Sequence, residues 1–215
     1  TLPLWLAHEG GWASHRTPEL FARFARKMVE SLGADVRYWM TINEPLVYIL
    51  KSYLMGEWPP GERSYEKSYR VITHFLKGHV AAYDAMKEAA GNLNGPELQI
   101  GMAQHVAKFS PCENSWRDRI SVWFRNLIFN HLFAKALIQG RIFYPGIFKI
   151  KLARQKTLDF IGLNYYTRDF VQNKGFGIPG VYGDACTSKH HREAGRKNFL
   201  SWEIYPQGLF QLVKD

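Results

Sequence analysis

The chain has 215 residues, 46% of them hydrophobic and 22% charged, the balance of a globular protein rather than a disordered one. No apolar run approaches the ~20 residues of a membrane-spanning helix. The opening Thr-Leu-Pro-Leu-Trp-Leu has neither the basic start nor the cleavage site of a signal peptide, so no membrane partner is expected.

Net charge is +9, from 28 Lys and Arg against 19 Asp and Glu. The basic residues are scattered, with short clusters at Arg23–Lys27, Lys149–Arg154 and Lys189–Lys197, so they read as solvated faces and no nucleic-acid partner is expected. Aromatic residues reach 15%, a surplus that sugar-binding sites commonly use. The two cysteines, Cys112 and Cys186, lie far apart in no disulfide pattern, which points to a reducing compartment and a cytoplasmic location.

Thr17-Pro18-Glu19 reads as a helix start, with a hydroxyl cap, a proline in the first turn and an acid behind it. Leu20, Phe21, Phe24, Met28, Val29 and Leu32 then share one helical face, and Gly33 is expected to end the helix in a left-handed turn. Val36 to Ile42 is β-branched and aromatic and reads as a buried strand. A second unit repeats the order: a helical stripe from Tyr65 to Met86, Gly91 just past it, and a strand alternating at Leu98, Ile100 and Met102. One long helix is expected from Trp116 to Ile138, stopped by Gly140, followed by a buried strand at Phe160–Leu163. Residues 172–198 are polar and glycine-rich and read as a long loop, after which Tyr205-Pro206 opens a last helix.

Alternating helices and near-continuous apolar strands imply an α/β fold of parallel strands with outer helices, in a single domain over 1–215. Neither a G-x-G-x-x-G nor a P-loop motif is present, so a doubly wound nucleotide-binding sheet lacks its usual signature. The other solution is a (β/α)8 TIM barrel. A closed barrel needs eight strands and typically ~250 residues, so three visible strands make a partial one.

In such a fold the functional groups gather where strands end. The first strand ends Met40-Thr41-Ile42-Asn43-Glu44-Pro45, where proline biases Glu44 away from helical geometry. A carboxylate so placed can act as general acid or base, and Asn43 beside it can hold a substrate hydroxyl. The second strand runs into Gln104-His105 at the same rim, where a lone His is read as structural. The third ends Asn164-Tyr165-Tyr166-Thr167, again polar and phenolic.

Together these motifs resemble glycoside hydrolase family 1, the β-glucosidase and β-galactosidase family. The resemblance rests on Gly10-Gly11-Trp12, on Tyr38 to Pro45, on Leu158 to Thr167 and on Trp202-Glu203-Ile204-Tyr205-Pro206-Gln207-Gly208-Leu209, in family order. Gly56–Gly61 and Gly140–Pro145 are similar to weaker landmarks.

The resemblance implies a retaining β-glycosidase acting on a β-linked glycoside, with no metal and no organic cofactor. Retention uses two carboxylates ~5–5.5 Å apart, one protonating the leaving oxygen and the other attacking the anomeric carbon. Glu44 matches the family's acid/base, Asn43 the residue that bonds the sugar 2-hydroxyl, and Tyr166 the tyrosine that positions the nucleophile. Asn164 is a nearby rim residue.

The departures are as definite. No I/V-T-E-N-G motif, which carries the family's nucleophile, occurs in the chain. Asp159 begins its strand and points to the wrong face, and Glu203 reads as a helix-start acid. Leu46 stands where many members carry a Trp, and the stretch between Tyr144-Pro145-Gly146 and Asp159 is short for the family. The alternative reading is therefore a catalytically inactive barrel fragment that binds sugar or another protein. Open sheet edges lead to an expectation of self-association or of a complementary chain.

Overall fold

The computed structural model describes residues 2–186 and 195–214. Part of the 172–198 segment and most of the Lys189–Lys197 cluster lie outside the described residues. In chain order the helices are α1 (Leu4–His8), α2 (Thr17–Leu32), α3 (Pro45–Ile49), α4 (Tyr65–Ala90), α5 (Trp116–Phe129), α6 (Leu132–Gln139), α7 (Gly177–Tyr182) and α8 (Pro206–Lys214). The strands are β1 (Tyr38–Asn43), β2 (Gln99–Pro111), β3 (Arg141–Tyr144), β4 (Phe148–Lys151), β5 (Phe160–Gln172) and β6 (Asp184–Ala185). One sheet has the order β1-β2-β5-β6, and β3 with β4 forms a separate hairpin.

The chain divides into two compact units: residues 1–104 with 133–162, and residues 105–132 with 163–215. The divisions near residues 104 and 162 fall inside β2 and β5.

In the first unit α2 packs on α4 through Ala25, Val29, Ala82, Tyr83, Met86 and Ala89, with Leu98 and Ile100 of the β2 region completing the cluster. The alanines let the two helices approach closely, and Val29 and Ile100 are fully buried, each stabilising the fold by about 1.5–3 kcal/mol. Trp12 stacks on Phe75 of α4 at 4.2 Å, and a Cβ at Gly78 would lie 3.1 Å from the Trp12 ring, a tight contact that glycine avoids.

Strands β1 and β2 are parallel, as expected. The antiparallel pairing of β5 with β6, and of β3 with β4, was not. At the β1–β2–β5 contacts glycine sets the spacing: a Cβ on Gly101 would fall 2.2 Å from the Phe160 carbonyl oxygen.

Several local expectations change. The Thr17 hydroxyl is no cap; it donates to the Gly11 carbonyl, and α2 begins at Thr17 itself. Gly33 has φ −68°, so it ends α2 without a left-handed turn; a Cβ there would meet the Val29 carbonyl at 2.6 Å. The helix expected over Trp116–Ile138 is two helices. Buried Asn130 interrupts it, its side-chain amide donating to the Ala107 carbonyl and its Oδ1 accepting from the Ala107 N–H.

The 172–198 loop contains α7 and β6, because Val171 and Gln172 find antiparallel partners in Ala185 and Asp184. Strands β1 and β5 are less buried than their apolar sequences suggest. Tyr38 and Met40 are about three-fifths exposed on β1, which stands first in the strand order of the described residues. Ile161 and Leu163 of β5 are also partly exposed.

Cys112 and Cys186 are joined in a disulfide. This overturns the expectation of unpaired cysteines and removes the argument for a reducing compartment. The cause is β5: the Cys112 N–H donates to the Val171 carbonyl and the Cys186 N–H to the Phe170 carbonyl, so two cysteines 74 positions apart meet beside adjacent residues of one strand.

Candidate functional site

Of the sequence-predicted residues, Asn43 and Glu44 belong to the first unit and Asn164 and Tyr166 to the second.

At the end of β1 the register with β2 slips. Met40 pairs with Gly101 but Asn43 with Ala103, so three residues on β1 answer to two on β2. Such a bulge bends a strand and re-aims the side chains beyond it. The next residue, Glu44, has φ 49° and ψ 53°, a left-handed conformation that costs a non-glycine residue about 1–3 kcal/mol. Pro45 disfavours the right-handed alternative at Glu44 and opens α3. The Glu44 N–H donates to the Ala103 carbonyl at 2.8 Å, which fixes its backbone to β2. Asn43 is exposed, Glu44 half-buried, and Leu46 packs into the interior.

Beneath this turn lies a buried polar chain. His79 of α4 bonds the Thr157 carbonyl through Nε2 at 2.5 Å and Thr41 Oγ1 through Nδ1 at 2.7 Å. A carbonyl only accepts, so Nε2 carries the proton. Burial pushes the imidazole pKa below its ordinary value, so Nδ1 is bare and accepts from the Thr41 hydroxyl. Thr41 sits within the bulge, and His79 thus braces the strand two and three residues before Asn43 and Glu44.

Asp159, one residue before β5, is structural. Its carboxylate accepts from the Tyr83 hydroxyl at 2.8 Å and from the Ile100 N–H at 2.9 Å, and pairs with Lys87 at 2.9 Å. Burial alone raises its pKa, but the Ile100 N–H, Lys87 and Tyr83 outweigh that and hold the carboxyl below its usual range.

In the second unit Asn164 and Tyr166 are two apart on β5 and so share a face. Tyr166 is partly exposed, between two rings that meet it edge to face: His105 at 5.0 Å and Trp202 at 5.5 Å. His105 also contacts Phe129 at 5.0 Å. It therefore serves as an aromatic wall beside Tyr166, which agrees with its structural reading.

The Trp202 backbone is held by Asn198, and Glu203 beside it is no helix-start acid. Glu203 is 3% exposed and takes two hydrogen bonds from the Arg168 guanidinium, at 2.8 and 2.7 Å, and one from the Gly195 N–H at 2.9 Å. Arg168 in turn lies 4.2 Å from the Tyr205 ring centroid and 4.6 Å from that of Phe170. The guanidinium pKa is pulled down by burial and raised further by Glu203, so its charge is secure. Tyr165 adds a hydrogen bond from its hydroxyl to the Tyr205 carbonyl at 2.6 Å.

Sequence reading missed both Arg168 and the service of Trp202 to Tyr166. No spacing rule links residues 35 positions apart, although a charge four residues beyond Asn164 on the same strand was a visible oddity. Among the described residues no group of three or more His, Cys, Asp or Glu side chains is gathered to hold a metal ion.

The profile of glycosyl hydrolase family 1 matches residues 1–215. Among curated relatives, β-glucosidase A of Thermotoga maritima is 28% identical over 99% of this chain and 48% of its own length. The β-galactosidase of Saccharolobus solfataricus is 29% identical, over 99% of this chain and 45% of its own. Among solved structures, a β-glycosidase from Pyrococcus horikoshii superposes with a TM-score of 0.81 at 28% identity, covering 99% of this chain and 47% of that one. The chain thus spans about half the length of the relatives it matches. Its α/β architecture is that of a partial TIM barrel, and with every residue covered by the profile, the chain belongs to glycosyl hydrolase family 1.

Proposed function

We propose that this chain carries the proton-transfer side of a retaining β-glycosidase site for β-linked glucosides or galactosides. Glu44 is the general acid and then the general base, and Asn43 holds the sugar 2-hydroxyl. The observation that carries the reading is the end of β1. A bulge, a left-handed glutamate and a proline together hold one carboxylate at a strand terminus, at a cost in backbone energy that an ordinary surface acid does not need.

In the first step Glu44 gives its proton to the glycosidic oxygen as the bond to the anomeric carbon breaks and a second carboxylate bonds to that carbon. In the second step Glu44 takes a proton from water, whose oxygen attacks the same carbon and releases the carboxylate. Asp159 and Glu203 are committed to Lys87 and Arg168, so the reading assigns neither as the attacking carboxylate.

The test is hydrolysis of aryl β-glucosides by the protein as its source makes it, beside Glu44→Gln and Glu44→Ala. Loss of the acid is expected to slow a 4-nitrophenyl glucoside by about 10²–10⁴. A dinitrophenyl glucoside, whose leaving group needs no proton, should be slowed less in its first step, and azide should accelerate Glu44→Ala because an anion needs no general base. Equal losses on both substrates overturn the assignment of Glu44. No wild-type hydrolysis with retained sugar binding overturns the enzymatic reading in favour of an inactive sugar-binding module.

A further inference from the structure

Helix α5 turns an apolar stripe to solvent. Trp116, Ile120 and Trp123 follow one another at four and three residues and so share a face. Trp116 and Trp123 are each 64% exposed, and Ile120 is exposed with them. Phe176, 88% exposed, adds a third ring next to Trp116 and Ile120, in a shallow groove that Arg117, Asn173 and Val181 also line. Large side chains left this open side by side need an explanation.

On α5 itself the charges that flank the stripe are both positive, with one exposed acid, Glu113, in the turn before the helix. Arg117 lies on one flank, its guanidinium 5.4 Å from the Trp116 ring centroid and 5.9 Å from that of Phe176. Arg119 lies on the other flank, donating to Asn114 Oδ1. The one acid of α5, Asp118, faces the opposite way: it is buried and accepts from the backbone N–H groups of Glu113 and Asn173. Helix α7, which packs on α5, contributes no charged residue.

We propose that this face lies on an anionic lipid surface. Indole rings settle at the headgroup level of a bilayer, isoleucine and phenylalanine reach the acyl boundary, and guanidinium groups on both flanks pair with phosphates at that depth. A protein partner has to bring carboxylates to both flanks of the stripe, whereas an anionic bilayer presents charge along the whole plane. A sugar ligand fits less well, because Ile120 occupies the centre and the Asn173 side chain is committed to Ser121 and to the Gly175 N–H.

No helix of the described residues is long and apolar enough to cross a membrane, and α5 need not cross one to lie on it. The absence of a spanning segment, which led to the expectation of no membrane partner, bears only on crossing. The proposal stands apart from the glycosidase reading.

The test is co-sedimentation of the native protein with vesicles of phosphatidylcholine alone and of phosphatidylcholine with 30% phosphatidylglycerol, at low and at physiological salt, with tryptophan quenching by lipids brominated near the headgroup. Expected are binding to the anionic vesicles at least tenfold stronger than to the neutral ones, quenching on binding, and weakening with salt. Trp116→Ala/Trp123→Ala should lose tenfold or more and most of the quenching, and Arg117→Gln/Arg119→Gln should lose the preference for anionic lipid. Binding that the tryptophan variant leaves unchanged overturns the proposal, since the net charge of +9 alone then explains it. No vesicle binding also overturns it, as does self-association lost in the tryptophan variant without vesicle binding. Because Trp5, Trp58 and Trp202 are exposed as well, quenching counts for this face only where it falls in the tryptophan variant; if that variant fails to fold, Ile120→Lys should weaken vesicle binding likewise, and unchanged binding there overturns the proposal.

Discussion

Removing the Glu203 carboxylate is expected to be among the most damaging single changes outside the apolar core. Glu203→Ala takes away three acceptor contacts at once, two from Arg168 and one from the Gly195 N–H. The guanidinium left behind has 18% side-chain exposure, and on the ring faces of Phe170 and Tyr205 it cannot regain a full water shell. Breaking a buried pair from one side costs about 3–5 kcal/mol, and the stranded Gly195 N–H adds about 1 kcal/mol. Replacing both partners, as Arg168→Met/Glu203→Leu, removes charge and countercharge together and should cost far less than either single change. Urea unfolding of the wild type, Glu203→Leu, Arg168→Met and the double variant gives the coupling directly, expected to exceed about 2 kcal/mol. At about 2–4 °C per kcal/mol for a chain of this size, Glu203→Ala should also lower Tm by roughly 10 °C or more. Because Glu203 holds the segment that carries Trp202 to Tyr166, near-ultraviolet circular dichroism should change before unfolding begins. Single losses near 1 kcal/mol that simply add in the double variant refute the reasoning, for the pair is then solvated and not a buried unit.

Two other predictions follow from buried groups. His79 is held neutral, with its pKa below that of the unfolded chain, so below about pH 6.5 the unfolded state binds a proton that the folded state refuses. Stability should therefore fall as pH drops from about 6.5 toward the folded pKa, with this residue contributing at most about 1.4 kcal/mol per pH unit. His79→Gln should lower stability at pH 7.5 by about 1–3 kcal/mol and flatten that slope; urea midpoints at pH 7.5, 6.5 and 5.5 that move in parallel for both proteins count against it. The Cys112–Cys186 cross-link closes a loop of 74 residues, for which chain entropy gives about 4 kcal/mol at most and measured cases about 2–4 kcal/mol. Reduction, or Cys112→Ser/Cys186→Ser, should lower Tm by roughly 5–15 °C, and an unchanged melting curve with two titratable thiols in the untreated protein disproves the link.

Helix α2 was legible from Thr17 to Leu32, and so was the end of α6 at Gly140, whose φ of 68° suits glycine. Each rests on residues within one or two turns of each other, where side-chain period and backbone preference act without help. The Asn43-Glu44-Pro45 corner was legible for the same reason: proline acts on the residue before it wherever the chain goes. The β3–β4 hairpin could have been read, since Pro145-Gly146 stands between short alternating runs, but four residues a side give a weak signal.

Other features had no local cause. Asn130 divides a continuous helical stripe because Ala107, 23 residues earlier, offers it a backbone amide. Glu203 became a buried partner of Arg168 rather than a helix-start acid, and two distant cysteines met beside β5. The bulge that turns Glu44 depends on β2, whose Ala103 carbonyl takes the Glu44 N–H. By itself the sequence determined α2, α4 and the cores of β1, β2 and β5, and where a carboxylate stands at a strand end. Only the tertiary structure decided which polar groups are held by partners, because burial sets the cost of a lone charge or amide, and the partner that meets that cost is chosen by the fold rather than by proximity along the chain.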